Sequence, residues 1–414
     1  MAGLKRLFSD SVIYGVSNAV YSALPILLLP FLTVYLPKSE YGIYANFTMA
    51  FSLLSALVSY SVPASVSVYF YGKEFNVKKL VSSGLMVSVL ITVGLFSVGV
   101  LAENFASSHL GLPAFLLLYA VVYSFLDTLF QTALGWWRME HKPWLYLAYR
   151  VARMLIELGL TFYLVINFSQ TWEARVISNI AAVLVLAVPI IAFLKRIKLL
   201  EFKLDRPSLV ELTKFNAGNA THVLGSVLIN YLDVFLITAF LGFSSSGEYA
   251  VAYQIGMGVS LLTNSFNQAY VPWLFKNLSE KSISQKRMIK LMVMISAAFF
   301  SSGGVLFILS PFLYNVFIGV DYTYESKVVF WIIAGFVVNG IYKLAINFLF
   351  FHKRMKVISG LTITAATVNF ILNLWLIPKL GIQGAALATF VAFGIQALLA
   401  FLLLKRSFKL IWGK

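Results

Sequence analysis

Three charged residues at helical spacing lie inside one apolar run of the sequence. Arg150, Arg153 and Glu157 occupy positions i, i+3 and i+7 of the run 143–167. In a helix of about 3.6 residues per turn, this spacing places all three side chains on one stripe. The planar guanidinium groups suit the oxygens of a diphosphate, and Glu157 would position them or titrate. The structural alternative is an ion pair between Arg153 and Glu157, with Arg150 extending to the membrane surface.

Other polar residues in apolar runs extend this set of candidates. Lys343 would supply a further cation for the diphosphate, and its alternative is to extend to the membrane surface. Asp127 and Asp233 are deep carboxylates, and either is a candidate to carry a proton or bind sodium during transport. Their alternatives are a structural hydrogen bond or an ion pair with an intramembrane cation. The candidate amides for contact with sugar hydroxyls are Asn230, Asn264 and Asn339.

The composition is that of a polytopic membrane protein. Of the 414 residues, 60% are hydrophobic and 12% are charged, and the mean hydropathy is +0.85. A water-soluble domain does not need so apolar a composition to fill a core. There is no cysteine, and the four histidines are far apart in sequence, which disfavours a zinc or haem site. No cofactor is predicted beyond a coupling proton or sodium ion.

Twelve apolar runs are long enough to cross a membrane. A hydrocarbon layer of about 30 Å needs roughly 20 helical residues, and the length of the runs favours helices over barrel strands. The sequence therefore predicts an all-α integral membrane protein with twelve transmembrane helices. The runs are 9–36, 41–70, 79–102, 111–136, 143–167, 172–194, 209–241, 245–274, 288–317, 327–350, 356–377 and 381–404.

Lysine and arginine are distributed unequally between the two sides of the predicted membrane. With the N-terminus placed inside, 25 of the 32 basic residues lie in inside segments. The bias predicts a multi-pass protein with both termini cytoplasmic. It also explains the net charge of +16 through orientation and contact with anionic phospholipids, so no nucleic-acid partner is predicted. The outside segments hold Lys38, Arg175, Lys327 and Lys379.

Two stretches of the sequence repeat. Residues 32–45 and 237–250 match at six of fourteen positions without a gap, at an offset of 205. A polar linker at about 195–207 follows six predicted spans, so the second half starts on the same side as the first. We predict two parallel six-helix lobes, 1–200 and 208–414. The intramembrane charges are not duplicated, which indicates a site placed on a repeated scaffold.

A more specific pattern occupies residues 369–389, NFILNLWLIPKLGIQGAALAT, where Asn373 and Pro378 close one helix and a Gly-Ala-rich turn opens the next. The start of the chain has paired helix prolines, Pro25 and Pro30, followed by PKSEYGIY at 37–44. These features resemble the Wzx-type flippases, the polysaccharide transporter branch of the multidrug/oligosaccharidyl-lipid/polysaccharide exporter superfamily.

The resemblance implies a function as well as a fold. It implies two lobes around a central cationic cavity, which carry an undecaprenyl-pyrophosphate-linked oligosaccharide, an O-antigen or similar repeat unit, from the inner to the outer leaflet by alternating access. The expected location is the bacterial inner membrane, where lipopolysaccharide precursors are assembled. Other membrane proteins of polysaccharide assembly are expected partners.

Three other functions compete with this one. A cation-coupled drug or toxin antiporter of the same superfamily would favour an acidic or apolar cavity over two arginines. A membrane glycosyltransferase, polymerase or ligase would carry catalytic carboxylates or His/Arg clusters in sizeable loops, whereas the predicted loops are short, so no enzyme is predicted. A non-transporting scaffold would tolerate neutralisation of its intramembrane charges.

Overall fold

The computed structural model describes residues 13–71, 75–110, 113, 115–201, 204–280, 282–352 and 354–412. Within these ranges it leaves out the side chains of 102–110, 218, 220–222, 355 and 405–412. The ends of the predicted runs at 9–12 and 111–112, and linker residues 202–203, therefore lie outside the described residues. All regular secondary structure in the described part of the chain is helical.

Fourteen helices are present in the described residues. Their bounds follow the predicted apolar runs, because each run is long enough to satisfy its backbone hydrogen bonds internally. They are α1 (13–22), α2 (Leu24–Tyr35), α3 (Lys38–Val58), α4 (Val62–Tyr69), α5 (Val77–Leu110), α6 (Leu116–Met139), α7 (Pro143–Asn167), α8 (Trp172–Arg196), α9 (Arg206–Leu241), α10 (Phe243–Ser279), α11 (Gln285–Phe317), α12 (Ser326–Phe351), α13 (Met355–Leu380) and α14 (Ile382–Trp412).

Two pairs of these helices each fall within one predicted run. Helices α1 and α2 together form the first candidate span, Ile13–Tyr35, whereas in the second run α3 alone forms the candidate span Lys38–Val58 and α4 follows it. Ten segments of the described chain are long and apolar enough to cross a membrane. The two predicted spans that fall short by composition are α7 and α10, which carry four of the nine polar candidate residues, Arg150, Arg153, Glu157 and Asn264.

The second span contains a break that the sequence analysis did not predict. Helix α3 ends at Val58 and α4 begins at Val62. Between them Tyr60 (φ 46°) and Ser61 (φ 56°) have left-handed backbone conformations. Proline at position 63 explains the break, because its ring in a continuous helix would clash with the carbonyl group four residues earlier. Each such non-glycine conformation costs about 1–3 kcal/mol and persists only where neighbouring groups hold it.

The described residues form two compact units. Unit 1 lies within Met1–Leu24 and Ile43–Val227, and unit 2 within Pro25–Gly42 and Leu228–Lys414. The first span and helix α9 therefore each begin in unit 1 and end in unit 2. The buried core of unit 1 centres on α6, which contributes Phe130 and Trp137. In unit 2, α12 and α14 pack along each other. The division into lobes at 195–207 stays a prediction.

The two repeated stretches meet inside unit 2. A Cβ atom added to Gly42 would overlap the carbonyl oxygen of Phe243, and one added to Gly247 would overlap the carbonyl oxygen of Lys38. Both pairs are related by the repeat offset of 205, so the contact is reciprocal. The Lys38 ammonium also forms an ion pair with Glu248. Only glycine allows the two backbones to approach this closely.

A first prediction concerns these glycines. Gly42→Ala or Gly247→Ala should lower the thermal unfolding midpoint of the purified protein, because the clashing atoms are backbone and cannot rotate away. Overpacking typically costs about 1–3 kcal/mol, and the rigid neighbour favours the upper end. The control is Gly94→Ala, since a Cβ there meets no atom within 4 Å. Equal midpoints for Gly42→Ala and Gly94→Ala would contradict the close approach.

Candidate functional site

Arg153 is bound to a carboxylate from a neighbouring helix. Its Nη1 donates to Asp127 Oδ1 of α6 at 2.6 Å, and its Nη2 donates to the Tyr123 hydroxyl at 2.7 Å. The arginine is 1% exposed. The ring of Tyr21 lies 5.1 Å from the guanidinium carbon, and the ring of Phe130 lies 4.7 Å from it. Arg153 is thus neutralised and fixed in position.

Arg150 differs from Arg153 in having no ionic partner. Its Nη2 lies 3.3 Å from Gln131 Oε1 and 3.5 Å from the Tyr146 hydroxyl, and its guanidinium carbon lies 4.9 Å from the Tyr21 ring centre. The side chain is partly exposed. Among the described residues, no carboxylate lies within ion-pair distance of it. Because Gln131 also donates to Asp127 at 3.3 Å, Arg150 is linked to the neighbouring pair.

Glu157 forms the second buried ion pair of unit 1. Arg175 of α8 donates from Nη2 to Glu157 Oε1 at 2.7 Å, and both side chains are at most 4% exposed. Arg175 also donates to the Thr161 hydroxyl at 3.1 Å and to Asn179 Oδ1. Arg175, which the predicted topology places on the outside, is buried in the first turn of α8 and is not free at the surface. The intrahelical Arg153–Glu157 pair is also absent here, because each residue finds its partner on another helix.

The charges of this network in unit 1 do not cancel. The described cluster contains three arginines and two carboxylates, which leaves one positive charge in excess. Since two arginines are in ion pairs, the excess charge lies on Arg150. An unpaired cation in an apolar layer is costly unless it faces water or an anion. The cluster therefore supplies one partly exposed guanidinium on a rigid support.

Asp233 lies in unit 2, separate from the arginines. It is 1% exposed and accepts hydrogen bonds from three neighbours on three other helices. Tyr249 of α10 donates at 2.8 Å, Asn373 of α13 donates at 2.6 Å, and the Thr389 hydroxyl of α14 is the third donor. Asn373 Oδ1 is buried with no hydrogen-bond partner among the described residues. No described cation forms an ion pair with Asp233, so its charge is balanced by hydrogen bonds alone.

The remaining candidates of unit 2 lie on α10 and α12. Lys343 donates to Asn264 Oδ1 at 2.6 Å, so the structure brings these two candidates together. Asn339 precedes Lys343 by four residues on α12 and is partly exposed. One turn further along, the Asn347 amide donates to Asn267 Oδ1 at 2.8 Å. Together they form a polar stripe along α12 and α10.

Asn230 lies apart from this stripe. It accepts a hydrogen bond from the Tyr253 hydroxyl at 3.4 Å, and the Tyr253 ring lies next to that of Tyr249 with ring centres 5.9 Å apart. Asn230 therefore lies near the Asp233 cluster, to which Tyr249 belongs. This position favours a structural contact near Asp233.

A cavity in unit 1 is lined by apolar side chains. It has a volume of about 600 Å³ and lies between α5, α6 and α8 of unit 1. Its walls include Phe96, Leu118, Ile180 and Leu184. Tyr119 provides the only hydroxyl group in the lining. This cavity suits hydrocarbon and not an oligosaccharide, so the polar site lies elsewhere.

Sequence reasoning missed several residues of the site. Arg175 was counted as a topology signal although it lies in the apolar run 172–194, and this position was the available signal for burial. Asn373 and Thr389 lie in the motif 369–389, which was interpreted only as a turn. In the structure both donate to Asp233. The motif thus supplies part of a polar site.

Comparisons with known proteins agree with this architecture. A model of the polysaccharide biosynthesis protein family matches residues 7–278. Lsg locus putative protein 1 of Haemophilus influenzae is 23% identical over 376 residues, covering 88% of this chain and 89% of that protein. The probable low-salt glycan biosynthesis flippase Agl15 of Haloferax volcanii is 25% identical over 248 residues, covering 57% of this chain and 50% of that protein.

Solved structures share the fold at low sequence identity. The lipid II flippase MurJ, in an inward closed conformation, aligns with a TM-score of 0.75 at 16% identity, covering 98% of this chain and 89% of that chain. An inward-facing multidrug resistance MATE family transporter aligns with a TM-score of 0.73 at 12% identity, covering 98% of this chain and 96% of that chain.

The helices, their buried ionic network and these likenesses define an all-α, multi-pass membrane protein with the twelve-helix transporter fold. This confirms the predicted fold class. The chain belongs to the polysaccharide biosynthesis protein family, so the resemblance drawn from its two loop motifs is also confirmed. It is a membrane flippase or transporter of that family.

A second prediction tests the buried pairs. Glu157→Gln should lower stability by about 3–5 kcal/mol, because it leaves the Arg175 charge buried without a counterion. The double variant Glu157→Gln/Arg175→Gln should recover part of the loss, since no charge is then unpaired. Thermal unfolding of the purified variants in detergent measures both effects. If the double variant lost more stability than the two single variants lose in total, the ion pair between Glu157 and Arg175 would be refuted.

Proposed function

We propose that this protein translocates an undecaprenyl-pyrophosphate-linked oligosaccharide from the inner to the outer leaflet of a bacterial cytoplasmic membrane by alternating access, with both termini in the cytoplasm. The observation that carries the proposal is Arg150, a partly exposed guanidinium on a membrane helix without a carboxylate partner among the described residues. The membership of the chain in the polysaccharide biosynthesis family and its likeness to the glycan flippase Agl15 support this substrate class.

The arginines have different roles in this proposal. Arg150 contacts the diphosphate, because its charge is uncompensated and its planar donors suit phosphate oxygens. Arg153 is a positioning residue, since Asp127 and Tyr123 occupy its two terminal nitrogens. Its ion pair with Asp127 joins α6 to α7 one helical turn from Arg150. Lys343 with Asn264 and Asn339 provides a polar stripe in unit 2 for anionic or hydroxyl groups of the same substrate class.

The depth of Arg150 agrees with entry from the cytoplasmic side. It follows the first residue of α7 by seven positions, which corresponds to about 10 Å along a helix. The predicted topology places this end of α7 on the cytoplasmic side. A diphosphate headgroup that leaves the inner leaflet would reach this depth while its hydrocarbon tail remained in the bilayer. Drug cations would meet an excess positive charge at the same place.

We also propose that Asp233 couples transport to a proton or sodium gradient. Its carboxylate, the Thr389 hydroxyl and the unpartnered Asn373 Oδ1 form a set of oxygen atoms within one buried cluster. Oxygen atoms are the ligands that hard cations prefer. A protonated carboxyl group also fits, because rotation of the Asn373 amide would then turn its oxygen toward the carboxyl proton. In either case the cation would neutralise Asp233, and its release would leave a buried charge.

A third prediction concerns Arg150. Arg150→Ala should slow transport of labelled lipid-linked oligosaccharide in reconstituted vesicles by about tenfold or more, because a hydrogen bond to a charged group is worth about 1.5–3 kcal/mol. Arg150→Lys should retain part of the rate. Arg287→Ala is the matched control, an exposed arginine in the first turn of α11. Transport by Arg150→Ala at the unaltered rate, with correct insertion, would exclude the diphosphate role.

A fourth prediction concerns coupling. Asp233→Asn should abolish the response of transport to an imposed proton or sodium gradient, because the neutral amide cannot exchange a charge. The same vesicles, tested with each gradient separately, identify the ion. Asp321→Asn is the control, since this aspartate lies in the connection between α11 and α12 and is exposed. A full gradient response in Asp233→Asn would show that coupling occurs elsewhere.

A further inference from the structure

The break in the second span is held by polar contacts with helix α9. The Ser61 hydroxyl donates to Asn216 Oδ1 at 2.7 Å and accepts from Asn219 Nδ2 at 3.0 Å. On the other side of the break, Ser88 Oγ donates to the carbonyl oxygen of Val58. The two contacts with Ser61 fix the orientation of both amides, because the Asn216 oxygen accepts from the serine hydroxyl and the Asn219 nitrogen donates to it. The left-handed backbone at Ser61 is thereby held in place.

The same contacts leave particular polar atoms available. Among the described residues, Asn216 Nδ2 and Asn219 Oδ1 have no hydrogen-bond partner, and both side chains are partly exposed. They provide one donor and one acceptor on neighbouring turns of α9. The Thr213 hydroxyl donates its proton to the carbonyl oxygen of Leu209 at 2.7 Å. Tyr60 must therefore donate to Thr213, at 2.7 Å, and its phenol oxygen remains able to accept.

This patch lies well inside the helices that carry it. Ser61 precedes the end of α4 by eight residues and Asn216 follows the start of α9 by ten, which corresponds to about 12 and 15 Å along the two helices. Partly exposed amides and hydroxyls of a membrane protein avoid lipid, because the hydrocarbon layer offers them no partner. They face a polar ligand or water. Arg150, in the same unit, lies at a similar depth from the predicted cytoplasmic side.

We propose that Tyr60, Asn216 and Asn219 form a carbohydrate-binding subsite for the sugar part of the transported lipid. Neighbouring sugar hydroxyls each donate and accept, as the free donor and acceptor of the two amides require. The Tyr60 ring adds a flat apolar surface for the face of a sugar ring, while its hydroxyl remains hydrogen-bonded. The subsite rests on the proposed function, because it assumes a glycan substrate. It assigns the break in the second span to recognition of that glycan.

Two lipid probes distinguish this subsite from the diphosphate site. The first is undecaprenyl diphosphate without sugar, and the second is the oligosaccharide-linked lipid extracted from cells that lack this protein. Binding of each to the purified full-length chain is measured in nanodiscs. Tyr60→Phe and Asn216→Ala should weaken binding of the sugar-linked lipid by about tenfold and leave binding of the sugar-free lipid unchanged, whereas Arg150→Ala should weaken both.

The controls make every outcome decisive. Asn277→Ala removes an exposed amide near the end of α10 whose hydrogen bonds among the described residues are to Trp273 and Ser282, and it should change neither affinity. Equal losses for both lipids, or no loss for either, would overturn the carbohydrate subsite in favour of a purely structural role. If Asn216→Ala does not fold, Tyr60→Phe decides alone by the same criterion. Selective loss in Tyr60→Phe with no effect of Arg150→Ala would refute the diphosphate proposal and keep the subsite.

Discussion

Neutralising charge inside an apolar layer is the constraint on which the first unit depends. Asp127 holds Arg153, and Arg175 holds Glu157, so helices α6, α7 and α8 are joined by two buried ion pairs. Removing one member of such a pair leaves a charge that neither lipid nor core can solvate. The mutual orientation of the three helices is therefore set by these pairs as much as by the fit of apolar side chains. Because both pairs include α7, this helix is held on two sides.

Arg150 has no carboxylate partner among the described residues, and its position is supported by the two ion pairs nearby. A guanidinium on a flexible support would gain little from meeting an anion, because ordering the support would cost entropy. Here the neighbouring residues are already fixed by their own charges, and Gln131 links Arg150 to Asp127. The stripe on α7 thus holds two residues in buried ion pairs and one guanidinium without a carboxylate partner among the described residues. Asp233 is stabilised differently, by three hydrogen-bond donors and by no ion pair with a described cation.

The sequence predicted the local features well and the long-range pairings poorly. The run 143–167 coincides with α7, because apolar length and the flanking loop residues define a membrane helix locally. An ion pair of Asp127 with an intramembrane cation was one of the stated alternatives, and the structure shows it with Arg153. The sequence could not select that pair or predict Arg175 as the partner of Glu157, since spacing along one helix does not show which neighbouring helix faces it. The break at Tyr60 and Ser61 was missed for a local reason, because the weight given to apolar character obscured the effect of Pro63 on the preceding turn.

The matched positions of the two repeated stretches include glycines at which the stretches contact each other. Gly42 and Gly247 each lie against the backbone of the other copy, at positions related by the same offset. A side chain on either glycine would overlap the backbone of the other stretch, so the same close contact explains the glycine in both stretches. The charged residues have no such reciprocal contact. The two units hold different polar clusters, an arginine-rich one in unit 1 and a carboxylate with hydrogen-bond donors in unit 2.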